Sequence, residues 1–252
     1  MLQEIYGRRG HILRICVIIS SEYTLPMKLF LDTSSVDVVR DHLSTGLIDG
    51  VTTNPSLMLK EGKEPHEVIK RMSDLFDESA SISAEVTADT AEEMVDLAQP
   101  YINIGSNVTI KVSCNKEGLK ACLEIAETGV DVNVTLIFSV SQAILAVNSG
   151  AKYLSPFVGR VDDQRFGGVS LIKRIREVLS PSWKLYNIQK YDCPEILAAS
   201  IRSVGDVEYS FAQGADVCTM PPSIFDKMYH HIMTDDGLKK FNDDWKTLME
   251  KQ

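Results

Sequence analysis

From Met27 onward the chain alternates strand-like and helix-like stretches eight times, and that rhythm restricts its fold more than any other feature. KLFLD precedes VDVVRDHLSTG, GVTTNP precedes HEVIKRMSDLF, and ISAEV precedes AEEMVDLAQPYI. VTIKV then precedes KEGLKACLEIAETG, VNVTLIF precedes SVSQAILAVNSG, and KYLSPFV precedes GVSLIKRIREVLS. A seventh strand, EILAASI, leads into VGDVEYSFAQG, and an eighth, ADVCTM, leads through Pro221 and Pro222 into SIFDKMYHHIM. Short β-branched runs alternating with amphipathic segments of helix length mark βαβ units, whose strands pair in parallel. Eight such units predict an α/β fold of one (β/α)8 TIM barrel, and 252 residues suit one barrel rather than two domains. Gly46, Gly129, Gly150 and Gly214 close helical stretches just before the next strand, where a residue that tolerates positive φ is useful. The competing architecture, an open doubly wound sheet, has no G-x-G-x-x-G after its first strand and no Walker-type loop to support nucleotide binding.

Three segments fall outside the repeat. Residues 1–26 are expected to form an N-terminal extension, disordered or not native to the protein, with translation starting at Met27; residues 27–252 then form the barrel domain. Arg8 and Arg9 precede HILRICVIIS, but Arg14 interrupts that run and it is too short to span a membrane, so it is not read as a signal peptide. The stretch from Pro181 to Pro194 is expected to be a surface loop or helix extension. The tail FNDDWKTLMEKQ predicts an additional C-terminal helix with Phe241, Trp245 and Leu248 on one face, which would pack on the barrel or on a neighbouring subunit.

Composition narrows the partners. A formal net charge of -9 disfavours nucleic acid and anionic membranes, so an anionic substrate would need cations gathered locally. The five cysteines are odd in number and scattered without a C-x-x-C pair, which predicts a reduced, cytoplasmic location and no zinc or redox motif. His230 and His231 are adjacent, point in different directions on a helix and make a poor metal pair.

In barrels of this kind the chemistry sits at the C-terminal ends of the strands. Polar residues cluster there: Asp32 on the first strand, Thr52 and Asn54 on the second, Glu85 on the third and Lys111 on the fourth. Asn133 and Thr135 follow on the fifth, Ser155 and Arg160 at the sixth, and Ser200 and Arg202 at the seventh. Singly, each has a plain structural reading: Asp32-Thr33-Ser34 as a helix cap, Asn54-Pro55 as a turn, Thr135 as strand filler, Lys111 as a snorkelling core lysine paired with a carboxylate. Placement for structure alone would scatter such residues over both rims, whereas these gather at one. An amine held out of water keeps some neutral form and can attack a carbonyl to give a Schiff base, an electron sink that permits cleavage of a neighbouring C–C bond in a keto sugar. Asp32 and Glu85 are the carboxylates available to move protons, and Arg160, Arg202 and Ser200 suit a phosphate monoester.

Those residues lie in blocks that resemble the transaldolases, in the short subfamily that also holds the fructose-6-phosphate aldolases. The blocks are LDTS, GVTTNPSL, AEV, IKV, NVTLIFS, SPFVGR and AASIRS, in that order from Met27 to the C-terminus. The resemblance implies that Lys111 is the Schiff-base nucleophile and Asp32 the acid/base for carbon–carbon cleavage, with Glu85 and Thr135 orienting a proton-relaying water. Thr52, Asn54, Asn133, Ser155 and Phe157 would line the sugar site, and Arg160, Ser200 and Arg202 would hold the phosphate. It further implies transfer of a dihydroxyacetone unit from sedoheptulose 7-phosphate to glyceraldehyde 3-phosphate, giving erythrose 4-phosphate and fructose 6-phosphate, in the non-oxidative pentose phosphate pathway. No metal or organic cofactor is implied, the partners are small-molecule sugar phosphates, and the assembly would be a homo-oligomer, on the family pattern a decamer. The aldolase branch tends to carry Gln at the position of Glu85 and Tyr at that of Phe157, so transfer is favoured over simple cleavage. A fructose-6-phosphate aldolase and a non-catalytic sugar-phosphate-binding barrel remain the alternatives.

Overall fold

The computed structural model describes residues 27–179 and 194–251. The expectations for residues 1–26 and for the stretch from 181 to 193 lie outside the described residues. Eight parallel strands close into a barrel in sequence order: β1 (Lys28–Asp32), β2 (Gly50–Thr52), β3 (Ser81–Glu85), β4 (Val108–Ser113), β5 (Val132–Ile137), β6 (Tyr153–Pro156), β7 (Glu195–Ala198) and β8 (Val217–Met220). The described helices are α1 (Val36–Leu43), α2 (Pro55–Glu61), α3 (Pro65–Ser73), α4 (Ala91–Ile102), α5 (Lys116–Glu127), α6 (Val140–Asn148), α7 (Val158–Asp163), α8 (Gly168–Val178), α9 (Val204–Ala212), α10 (Pro222–Lys227) and α11 (Ile232–Glu250). The single barrel and its additional C-terminal helix are as the sequence predicts.

Strand residues alternate between two environments, as the two-residue period of a strand requires. One set, including Leu31, Val51, Ile82, Ile110, Val134, Leu154, Ile196 and Met220, packs under the helices in the main apolar core. The other set faces the barrel axis and is itself divided. Phe30, Tyr153, Leu197 and Val217 form an apolar plug, with the Phe30 and Tyr153 rings edge to face at 6.0 Å. Gly50 makes room for that plug, because a Cβ there would stand 2.8 Å from the Phe30 ring and 2.4 Å from the Ser81 carbonyl oxygen. Ser81, Ser83, Thr109, Asn133 and Ser155 are buried polar residues, and they satisfy one another: Ser81 and Thr109 hydroxyls lie 2.7 Å apart, Asn133 donates to Ser83 at 3.2 Å, and Ser155 donates to Asn133 at 2.7 Å. Buried polar groups are stable when they are paired in this way.

Gly46, Gly129, Gly150 and Gly214 all adopt positive φ, as their places before strands predict. At the opposite rim from the strand C-termini, Glu195 bridges Lys28 at 2.8 Å and Lys152 at 3.3 Å, tying β1, β6 and β7 together.

Four elements differ from the sequence reading. Asn54-Pro55 opens a helix rather than a turn: the Asn54 side chain caps it by accepting from Leu57 N, Pro55 follows at the first helical position, and Gly62 ends it at φ 69. The short helix α7 occupies VGRVDD, taking the last residue of the predicted strand KYLSPFV and filling the gap before GVSLIKRIREVLS. The eighth helix stops at Lys227, and His231 starts α11 as its cap, accepting from Met233 N at 3.2 Å. His230 and His231 therefore lie outside helical turns and are exposed. The C-terminal helix begins nine residues earlier than Phe241, where the tail pattern starts, because Asp235, Asp236 and Gly237 break the apolar spacing without breaking the helix.

Candidate active site

The inward-facing end residues of the strands meet in one cavity of about 560 Å³ at the C-terminal rim. Register explains the meeting. Asp32 pairs with Thr52 across β1 and β2, Glu85 with Lys111 across β3 and β4, and Lys111 with Asn133 across β4 and β5, so each lies one step round the rim from the next.

Lys111 is 5% exposed. Its Nζ donates to the Thr53 carbonyl oxygen at 2.9 Å and forms an ion pair with Glu85 Oε2 at 3.0 Å. Removing one partner of such a buried pair typically costs about 3–5 kcal/mol, so each holds the other in the site. Asp32 accepts from Thr52 Oγ1 at 2.8 Å. Burial pushes its carboxyl above the ordinary carboxylate range and Glu85 adds to the rise, against the opposing pull of the Lys111 ammonium and the Thr52 hydrogen bond. Thr135, also buried, has a hydroxyl with no protein partner although it lines the cavity. A buried hydroxyl without a partner is costly, so this one points to a water or substrate oxygen.

Backbone strain collects at the same rim. Leu136 and Ser200 are non-glycine residues at φ 59 and φ 60, and both line the cavity. Such conformations cost on the order of 1–3 kcal/mol each and tend to persist at functional sites. At Leu136 the cause is a register shift between Val134 and Ile137 in the β5–β6 pairing. At the sixth and seventh strands, Gly159 permits a close approach, since a Cβ would stand 2.4 Å from the Ser200 carbonyl oxygen and 2.7 Å from Arg202 Nε. That approach brings the start of α7 against the end of β7. The Arg160 guanidinium sits 5.0 Å from the centre of the Phe157 ring, and Phe157 in turn meets Phe138 edge to face at 5.7 Å.

Of the twelve residues expected at the site, ten line the cavity: Asp32, Thr52, Asn54, Glu85, Lys111, Thr135, Ser155, Phe157, Arg160 and Ser200. Two do not. Asn133 is fully buried below it, where its side-chain oxygen accepts from the Ser155 hydroxyl. Arg202 turns outward, with both terminal nitrogens on the Asp163 carboxylate; the negative end of α7 has captured the fork. The sequence reading also missed cavity residues. Ser56, Leu57 and Lys60 come from α2, between GVTTNP and the HEVIKRMSDLF helix, and Thr219 comes from β8. ADVCTM offered a signal for Thr219, a hydroxyl two residues before the proline that follows the strand. Among the described residues no group of three or more His, Cys, Asp or Glu side chains could hold a metal, and no helix is long and apolar enough to cross a membrane.

A family model described as Transaldolase/Fructose-6-phosphate aldolase matches residues 29–252. A probable transaldolase of Paracoccus denitrificans is 44% identical over 219 residues, spanning 87% of this chain and 96% of its own. Probable transaldolases of Lactiplantibacillus plantarum and Methanococcus maripaludis (strain C7) are 42% and 43% identical, spanning 90% and 89% of this chain and 100% of their own. Among solved structures, dihydrodipicolinate synthase of Rhodopseudomonas palustris superposes with a TM-score of 0.54 at 14% identity, covering 86% of this chain and 78% of its own. Thiamine phosphate pyrophosphorylase of Pyrococcus furiosus gives 0.52 at 17%, covering 77% and 85%; likeness at these identities concerns the barrel fold alone. With the matched model running from the first strand to the C-terminus and the relatives matched over nearly their whole length, the chain belongs to the transaldolase/fructose-6-phosphate aldolase family.

Proposed function

We propose that the protein is a transaldolase working through a Schiff base at Lys111. The observation that carries this reading is the juxtaposition of a buried, Glu85-paired lysine with Asp32 and the unpartnered Thr135 hydroxyl in one cavity. In the proposed reaction Lys111 passes its ammonium proton to Glu85, the freed amine adds to C2 of the ketose phosphate, and the carbinolamine takes that proton back as its hydroxyl leaves as water, giving a protonated imine. Glu85 and Thr135 hold that water and relay its protons. Asp32, raised by burial and so a stronger base once ionised, takes the C4 hydroxyl proton as the C3–C4 bond breaks and the aldehyde phosphate departs. The three-carbon enamine stays on Lys111, attacks the carbonyl carbon of the acceptor aldehyde with Asp32 returning the proton, and hydrolysis releases the new ketose.

In this reading Arg160 and Ser200, which line the cavity, bind the phosphate, with Arg202 joining them by leaving Asp163. Sedoheptulose 7-phosphate and glyceraldehyde 3-phosphate are the proposed pair, in the cytoplasm. The carboxylate of Glu85 and the Phe157 ring favour transfer over release of free dihydroxyacetone. Incubation with fructose 6-phosphate, with and without erythrose 4-phosphate, tests this: sedoheptulose 7-phosphate is expected to form, with little dihydroxyacetone in either case. Equal dihydroxyacetone release in both incubations would make the protein an aldolase instead.

A further inference from the structure

Thr219 has no role in the mechanism above, yet it is buried at the cavity with its hydroxyl 2.6 Å from that of Thr52. Thr52 in turn lies 2.8 Å from Asp32 Oδ1. These contacts run from β8 to β2 across the inner face of β1, whose two neighbours in the barrel are those strands. The direction of the chain follows from the number of protons. A hydroxyl has one to give, and an ionised carboxylate can only accept. When Asp32 is ionised, Thr52 therefore spends its proton on it, and the short contact with Thr219 survives only if Thr219 donates to Thr52. Accepting from Thr219 polarises the Thr52 hydroxyl and strengthens its own donation, as linked hydrogen bonds do in a low-dielectric interior.

We propose that Thr219 is a positioning residue that fixes the direction of the Thr219–Thr52–Asp32 chain and so sets how tightly Asp32 holds its proton. The proposal deepens the reading of Asp32 as acid/base and rests on it for its catalytic consequence. The other charged groups acting on Asp32 are Lys111 on β4 and Glu85 on β3, which pull its proton affinity down and up respectively. Neither is hydrogen-bonded to Thr219. Removing the Thr219 hydroxyl leaves both charges in place and weakens the one neutral bond that favours the carboxylate. Asp32 should then titrate at higher pH, with kcat reduced about 3–10-fold, the worth of one net hydrogen bond, and KM little changed.

The test is a carboxyl NMR titration of the full-length protein labelled at aspartate, with Asp32→Asn identifying the resonance. In Thr219→Val the Asp32 signal is expected to titrate at higher pH than in the wild type, and Thr219→Ser is expected to restore it. If Thr219→Val does not fold, Thr219→Ala carries the same comparison. An Asp32 titration unchanged in a folded Thr219 variant overturns the proposal, whatever the activity. Because the titration is read in the resting protein, lack of transferase activity overturns the functional reading and leaves this result standing on its own.

Discussion

Lys111 resolves a conflict between burial and charge by its neighbours rather than by reaching for water. The strand run VTIKV shows the conflict at once, since a lysine stands where the alternation demands a barrel-facing residue. Its partner carboxylate lies on the next strand at the same register, which spacing along the chain cannot reveal. Asp32 shows the cost of such a site. Its folded-state carboxyl is raised, so the folded protein binds that proton more tightly than the unfolded chain does. Stability from this group is present below the unfolded value, near 3.8, and is lost as pH rises through the folded value. Above that window the ionised group opposes folding. Asp32→Asn is accordingly expected to raise the melting temperature at pH 7, to give no gain below about pH 4, and to lower kcat by roughly 10²–10⁴-fold, the usual worth of a general acid/base. Thermal melts across pH decide this; a destabilised Asn variant at pH 7 would contradict it.

At the scale of elements, the sequence conveyed strands and long helices because burial imposes period on them. Leu31, Val51, Ile82 and Ile110 repeat because each must face the helix layer. The elements that escaped are those the core does not pattern. Helix α2 buries no residue at all, so no apolar rhythm marks it, and its Asn-Pro start reads equally as a turn. The missed α2 residues at the cavity follow directly from that ambiguity. Helix α7 is six residues long and carries both Arg160 and the Asp163 that holds Arg202. The AASIRS motif leads one to expect a phosphate at Arg202, but a side chain's choice between a substrate and a local carboxylate is a matter of three-dimensional reach. The two arginines should therefore separate in kinetics. Arg160→Ala is expected to raise KM for fructose 6-phosphate about 10–100-fold, the loss of a charge-assisted pair, with little effect on turnover of unphosphorylated fructose. Arg202→Ala is expected to raise it less, because the substrate must first draw Arg202 from Asp163. Comparing both sugars in both variants checks this, and a larger effect at Arg202 would mean that the ion pair opens freely.

For the whole molecule, the barrel accounts for its own core but leaves α11 uncovered. No residue of that 19-residue helix is buried, and Phe241 and Trp245 are 69% and 63% exposed. The sequence predicted the apolar face and left open whether barrel or neighbour covers it; the described residues place it off the barrel. We propose that a second copy of the chain covers it in a homo-oligomer. Sedimentation at micromolar concentration is expected to show an assembly that Phe241→Glu with Trp245→Glu dissociates; a monomeric wild-type protein would contradict the proposal. The proposed chemistry nevertheless stands on Lys111. Borohydride reduction in the presence of fructose 6-phosphate, followed by peptide mass spectrometry, is expected to find a reduced dihydroxyacetone adduct on the peptide containing Lys111. It should be missing from Lys111→Met. A protein that turns over the sugar without an adduct at Lys111 would contradict the account.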